Sequence, residues 1–353
     1  MNCEFPHKER EPYFAVITVT YNSEQTIQRF LNSLLEQTYD NFEIIVVDNN
    51  SRDATLRILA EFVNKQQRRR IKIIRNNKNI GYGSAVNLAV KSLREESMVT
   101  HLLICNPDGF FDKMALAHLA KWIKESDDVG IIQCKVLYAS ESRTINTVGN
   151  ISDRFGFVKL RGEGEIDQGQ FDSASSNFFY ASGAAFVIDR FLFEQVDGFD
   201  DIYFLYADDF DLSWRVRLRG KQIRLAADSV FYHEGSFSFR KAKFHPTKYY
   251  YTVRNTIITM VKNYQLLNVA IYLPLAVILH CLASLYLSFL FRQANYIKAY
   301  FASLVFIVTK LRIIYSKRLT VQRRFRRQNA RDKEIMRYMA SYPLFVTYMR
   351  DLL

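Results

Sequence analysis

A chain of 353 residues can build one large core or two domains, and 49% hydrophobic with 14% aromatic residues excludes a disordered or low-complexity protein. The formal charge of +12 sits at one end: fourteen Lys and Arg against three acids lie from Arg292 to Leu353, which leaves the first 240 residues close to neutral. Cys3, Cys105, Cys134 and Cys281 show neither pairing nor metal spacing, and Met1–Arg10 has no apolar core. The expectation is therefore free thiols, no secretory signal and a cytoplasmic location.

In chain order, Tyr13–Thr20 reads as a buried strand, followed by polar Tyr21-Asn22-Ser23. Ile27, Phe30, Leu31, Leu34 and Leu35 then recur at helical spacing. Phe42–Val47 predicts a second strand, ending at Asp48-Asn49-Asn50-Ser51, and Ile71–Ile74 a third. Ala85–Leu93 predicts a helix, and His101–Cys105 a fourth strand closed by Asn106-Pro107-Asp108. Such alternation implies an α/β fold whose mainly parallel sheet carries helices on both faces. Ligands then collect beyond the carboxyl ends of the strands, where Asn22, Asp48 and Asp108 all fall. Thr147–Asp172 is polar and Gly-rich, a loop able to cover a site; Tyr180–Ile188 returns to strand. Past Tyr249 the pattern is helical, with an almost uncharged stretch over Asn268–Phe291 and a more amphipathic one over Tyr296–Tyr315. The division this suggests is an α/β domain over 12–245 and a helical region over 246–353.

The candidate chemistry begins with Asp208, Asp209 and Asp211, three carboxylates within four residues that repel one another unless donors, cations or a movable proton lie nearby. A helix N-terminus is the alternative account, since acidic residues favour that end of the dipole. Asp48 and Asn49 suit a pyrimidine ring and its ribose, or else a turn capped through Ser51 and Asp53. Asn79-Ile-Gly81-Tyr82-Gly83 opens a helix whose N-terminus suits a diphosphate, although the dinucleotide spacing G-x-G-x-x-G is absent. Asp108 at a strand end suits Mg²⁺ or Mn²⁺, or a plain Pro-Asp turn. His233, after a second β-like run, is a possible further ligand or a structural histidine.

Taken in order, Val19-Thr20-Tyr21-Asn22, Val47-Asp48-Asn49-Asn50-Ser51, Asn79–Asn87, Asn106-Pro107-Asp108, Ser182–Ala185, Gly198–Asp200, Tyr206–Arg215 and Tyr249–Asn255 closely resemble the family 2 inverting glycosyltransferases of GT-A fold. The likeness is greatest to the rhamnosyltransferase-like branch that builds bacterial O-antigen and other surface polysaccharides, and it runs from about Tyr13 to Asn263. The resemblance implies a donor-nucleotide site of Thr20, Asn22, Asp48, Asn49, Gly81, Tyr82, Asn87 and Asn106. It implies a Mg²⁺ or Mn²⁺ ion on Asp108, with His233 as a further ligand, and Asp209 as the catalytic base. Asp208, Asp211, Trp214 and Arg215 become acceptor-site or supporting residues. The family's Asp-x-Asp has Asn106 in its first place here, and Asp208 replaces a glutamate. The Gln-x-x-Arg-Trp element of processive synthases is missing, so one sugar, or very few, per encounter is expected; the branch resembled implies rhamnose from dTDP-rhamnose, with a galactose, glucose or galactofuranose donor, UDP-linked, as the alternative.

Val269–Phe291 is long enough to cross a bilayer, yet Pro274, His280 and several Ser and Tyr leave open whether it spans, lies in the interface or is a core helix. The basic run Lys317–Arg327 favours an anionic cytoplasmic leaflet and an acceptor carried on a polyprenyl diphosphate. A nucleic-acid partner is not expected, since no zinc, helix-turn-helix or RNA-recognition signature accompanies the charge.

Overall fold

The computed structural model describes residues 11–66, 70–94, 97–126, 128–173, 178–235, 245–327 and 330–350. Its elements run β1 (Phe14–Thr20), α1 (Ile27–Leu35), β2 (Phe42–Asp48), α2 (Thr55–Lys65), β3 (Ile71–Arg75), α3 (Tyr82–Lys91) and β4 (His101–Cys105). There follow β5 (Gly109–Phe111), α4 (Ala115–Glu125), β6 (Val129–Tyr138), β7 (Ile145–Thr147), β8 (Asn150–Ser152), β9 (Val158–Leu160), β10 (Ala185–Asp189) and α5 (Arg190–Gln195). The chain closes with α6 (Asp208–Leu218), β11 (Gln222–His233), α7 (Pro246–Asn263), α8 (Leu266–Leu290), α9 (Asn295–Thr309), α10 (Leu311–Thr320), α11 (Asp332–Met336) and α12 (Phe345–Arg350).

Among the described residues the main sheet is ordered β3-β2-β1-β4-β10-β6-β11-β5, with β7 beside β6. The expected strands β3, β2, β1 and β4 pair in parallel, while β10 runs antiparallel to both β4 and β6. Strand alternation splits the core cleanly, because successive side chains face opposite sides. Ala15, Ile17 and Val19 of β1 pack under α3, α5 and α6, whereas Phe14 and Val16 pack under α1, α2 and α4. The helical spacing read for α1 buries Phe30, Leu31 and Leu34 completely. Cutting Leu31 to Ala should therefore remove about 3 kcal/mol.

The Gly-rich excursion after Thr147 is not an open loop: it contains the β8–β9 hairpin, and Lys135 of β6 anchors its far end through Asp167 and Asp172, each at 2.9 Å. The C-terminal helices pack on the back of α6. Trp214 and Phe210 share one buried cluster with Met260, Tyr264, Val321 and Phe325, and α7 packs on α8 and α9 through a second. Several basic residues of the tail are structural. Arg318, Gln322 and Arg326 donate to the carbonyls of residues 261–264 at the end of α7, where cationic and amide donors satisfy the exposed C=O groups.

Candidate active site

Helix α6 starts after two non-glycine residues in the left-handed region, Tyr206 (φ 65°) and Ala207 (φ 58°). Asn255 of α7 holds this turn, its amide donating to the carbonyls of Leu205 (2.8 Å) and Tyr206 (2.7 Å). Backbone in such a conformation stores roughly 1–3 kcal/mol per residue and persists where the surroundings over-determine it. The turn delivers Asp208 and Asp209 into the first turn of α6. Asp209 accepts from the Gly183 amide through Oδ2 and from the Phe210 amide through Oδ1, both at 2.8 Å. Burial pushes its pKa above the ordinary carboxylate range, and these amides hold it back. Asp208 is pushed up by burial and then by the charge of Asp209, and its buried Oδ2 has no partner. The repulsion is mutual, so the pair titrates together.

Asp108 stands beyond the end of β4, and His233 closes β11. The His233 Nε2 lies 3.1 Å from the Asp108 carboxylate and 3.4 Å from the Asn106 amide nitrogen. Burial would raise Asp108, but the hydrogen bond and charge of His233 outweigh it and hold the carboxyl below its usual range. The backbone ties this end to Asp209: the Asn106 N–H donates to Ala184 O at 2.9 Å, next to the Gly183 amide that holds the Asp209 carboxylate. Tyr82 lies between them, its hydroxyl donating to Gly183 O at 3.4 Å. Burial and then the charges of Asp208, Asp209 and Asp108, among others, drive its pKa well above that of a free phenol. Acids separated by a hundred residues in the chain are thus linked through Tyr82 and the Gly183–Ala184 backbone.

No group of three or more His, Cys, Asp or Glu suited to a metal occurs among the described residues. Asp108 and His233 nevertheless fit a hard divalent cation that takes few protein ligands and completes its shell with phosphate oxygens and water.

Several residues expected to contact the donor make hydrogen bonds within the protein. Asp48 accepts from the Thr20 hydroxyl (2.9 Å), the Ser51 hydroxyl and the Ser51 amide (3.0 Å), which fixes the turn after β2. Asn49 bridges Gly81 O and Asn76, and Asn87 clamps both the N–H and C=O of Phe199. Asn22, at φ 54°, accepts from the Arg52 amide and remains exposed at the end of β1. Gly81 (φ +88°) and Gly83 were expected to admit a diphosphate. A Cβ on Gly81 would meet Phe204 O at 2.6 Å, and one on Gly83 would meet the Phe199 Cβ at 2.7 Å, so both positions also need glycine for packing within the protein.

Asp211, Trp214 and Arg215, all on α6, are buried within the protein, an arrangement that suits the supporting half of their expected role. Asp211 accepts from Arg215 (2.8 Å), Lys262 (3.0 Å) and Asn263 (3.1 Å), and Lys262 also pairs with Asp200. Burial opposes the charge on Asp200, yet Lys262 and Lys317 hold its pKa far below the usual range. These residues support the helix from beneath. The Asp200–Lys262 bridge and the Asn255 clamp escaped the sequence reading, although Gly198–Asp200 and Tyr249–Asn255 were both singled out as segments.

The profile of Glycosyl transferase family 2 matches residues 15–197. An uncharacterized glycosyltransferase of Haemophilus influenzae is 40% identical over 119 residues, which are 33% of this chain and 32% of that protein. The N-acetylglucosaminyl-diphospho-decaprenol L-rhamnosyltransferase of Mycobacterium tuberculosis is 25% identical over 248 residues, 65% of this chain and 79% of its own. Among solved structures, Staphylococcus aureus TarS 1–349 in complex with UDP-GlcNAc superposes with TM-score 0.55 at 20% identity, over 89% of both chains. The Pyrobaculum calidifontis mannosyltransferase PcManGT, solved with GDP-Man and Mn²⁺, gives TM-score 0.53 at 16% identity over 98% of this chain and 87% of its own. These two likenesses establish a shared fold, the GT-A arrangement expected from the sequence. With more than half of its length matched by the family profile, the chain belongs to glycosyl transferase family 2.

Proposed function

We propose that the protein transfers one sugar, with inversion, from a nucleotide-activated donor to a lipid-linked saccharide in bacterial surface polysaccharide synthesis. Rhamnose from dTDP-rhamnose is the preferred donor, in keeping with the M. tuberculosis relative, whose name also specifies a polyprenyl-diphosphate-linked acceptor. A UDP-sugar is the alternative, favoured by the UDP-GlcNAc complex of TarS.

The observation that supports the proposal is the backbone link through Gly183 and Ala184, which joins Asp209, held by the Gly183 amide, to the Asn106–Asp108 segment, whose Asn106 N–H donates to Ala184 O. Asp209 takes the proton of the acceptor hydroxyl while that oxygen bonds to the anomeric carbon. The bond from that carbon to the nucleoside diphosphate breaks in the same displacement, so no covalent intermediate on the protein is needed. Asp108 and His233 would hold a Mg²⁺ or Mn²⁺ ion, which when bound neutralises charge on the departing diphosphate. The two amides on Asp209 fix its oxygens, and its raised pKa makes it a better proton acceptor than an exposed carboxylate.

The test is a panel of nucleotide sugars scored for binding with Mn²⁺ and then for transfer. Asp209→Asn should lower kcat by about 10³-fold with donor binding unchanged. Asp108→Ala should instead weaken Mn²⁺-dependent donor binding. Turnover by Asp209→Asn near the wild-type rate would refute the assignment of the base.

A further inference from the structure

We propose that α8, α9 and α10 form a docking face that lies in the surface plane of an anionic bilayer, with α8 parallel to the membrane and not across it. Helix α8 is the one helix among the described residues long and apolar enough to span, at a mean hydropathy of 2.1. It is two-sided, however. Ala276, His280, Ala283, Ser284 and Leu287 are buried on one side. Ile271, Leu275, Ile278, Leu282, Leu285 and Phe289 stand exposed on the other, Ile278 by 55% and Phe289 by 83%. Their spacing of three and four residues makes a continuous stripe, and α8 contains no charged residue.

The buried side is committed to the rest of the protein. Tyr249 of α7 donates its hydroxyl to His280 O at 2.6 Å, Tyr300 of α9 donates to Val277 O at 3.0 Å, and Phe157 stacks on the His280 ring at 4.4 Å. At its start, the Gln265 N–H and the Asn268 amide donate to Asp332. A span would have to break the contacts with Tyr249, Phe157 and Asp332. Nor does the next helix offer a return path: α9 has 15 residues, about 22 Å, against a hydrocarbon core of about 30 Å. Helix α9 carries its own exposed stripe, Lys298, Phe301, Val305 and Val308, and α10 adds Leu311, Ile313 and Tyr315.

Charge identifies the occupant. From Gln265 to Arg331 there are eleven Lys and Arg and no Asp or Glu. Lys317, Arg318, Arg324 and Arg326 are engaged within the protein, but Arg292, Lys298, Lys310 and Arg312 are exposed beside the apolar stripes. A second copy laid on this face would set like charges against each other, whereas anionic headgroups complement them. The face deepens the proposed lipid-linked acceptor, on which its purpose rests. It also has a path to the site, since Lys317 of α10 pairs with Asp200 (2.7 Å) and Asp201 (2.6 Å), in the segment leading to Asp208.

Two measurements on the full chain test it. In sedimentation with vesicles, the protein should bind phosphatidylcholine–phosphatidylglycerol mixtures at least tenfold better than phosphatidylcholine alone. The double variant Ile278→Asp/Leu282→Asp should lose most of that binding, with unchanged circular dichroism and unchanged transfer to a water-soluble acceptor analogue. In inverted membrane vesicles, Gln293→Cys, in a background with Cys3 and Cys281 replaced by Ser, should react with an impermeant maleimide without permeabilisation. Labelling only after permeabilisation would show that α8 spans, and a dimer abolished by Leu282→Asp without vesicle binding would assign the face to a second copy; either overturns the proposal. Vesicle binding needs no donor, so absence of sugar transfer alongside normal binding would count against the enzymatic reading and not against the docking face.

Discussion

Asp208 carries a testable conflict between stability and reactivity. Its carboxylate is buried beside Asp209 with Oδ2 unpartnered, and both acids have folded-state pKa values raised above their unfolded ones. Groups of this kind bind protons more tightly in the folded protein, so stability is greatest below the unfolded carboxylate pKa and declines as pH rises through the raised values. Asp208→Asn removes one repelling charge and should raise thermal stability at pH 8 by about 1–2 kcal/mol, read as a higher Tm. The same change should move the acidic limb of the kcat/KM profile to lower pH, since Asp209 then loses its proton more easily. An unmoved limb would show that the two carboxylates do not interact. Residue identity pointed to these acids from the sequence, but not to their partners. Asp48, Asn49 and Asn87 have the chemistry of ligand-binding groups, and only the structure shows their lone pairs and amides engaged with Thr20, Ser51, Gly81 and Phe199.

At the scale of elements, the segment 197–207 and α6 act together. Asn87 clamps one end of the segment, Lys262 holds Asp200 and Asp211, and Asn255 holds the left-handed turn before Asp208. Ala207→Gly should relieve the φ 58° strain and stabilise by up to about 1 kcal/mol, seen in the denaturation midpoint. Lys262→Met leaves two buried carboxylates with less compensation and should destabilise by about 3 kcal/mol, measured the same way. Strands β1 to β4 were legible because they are continuous apolar runs between turn residues. Strand β6 was not, because Gly130, Gln133 and Lys135 interrupt its apolar pattern. Their reasons are long-range: Gln133 accepts from the Ser182 amide, and Lys135 meets Asp167 and Asp172.

For the whole molecule, the mainly parallel sheet and its two helical layers could be anticipated from periodicity, but not the antiparallel course of β10 between β4 and β6. The joint between α6 and the C-terminal helices could not, since an aromatic such as Trp214 does not announce which distant element will cover it. Met260, Tyr264, Val321 and Phe325 do so here. Deleting residues 264–353 should therefore expose that cluster and yield insoluble protein instead of a soluble catalytic domain, which expression and gel filtration would reveal. The measurement closest to the central claim is the anomeric configuration of the product, determined by NMR with the donor that the nucleotide-sugar panel selects. A single displacement by the Asp209-activated hydroxyl predicts inversion relative to the donor; retention would contradict it.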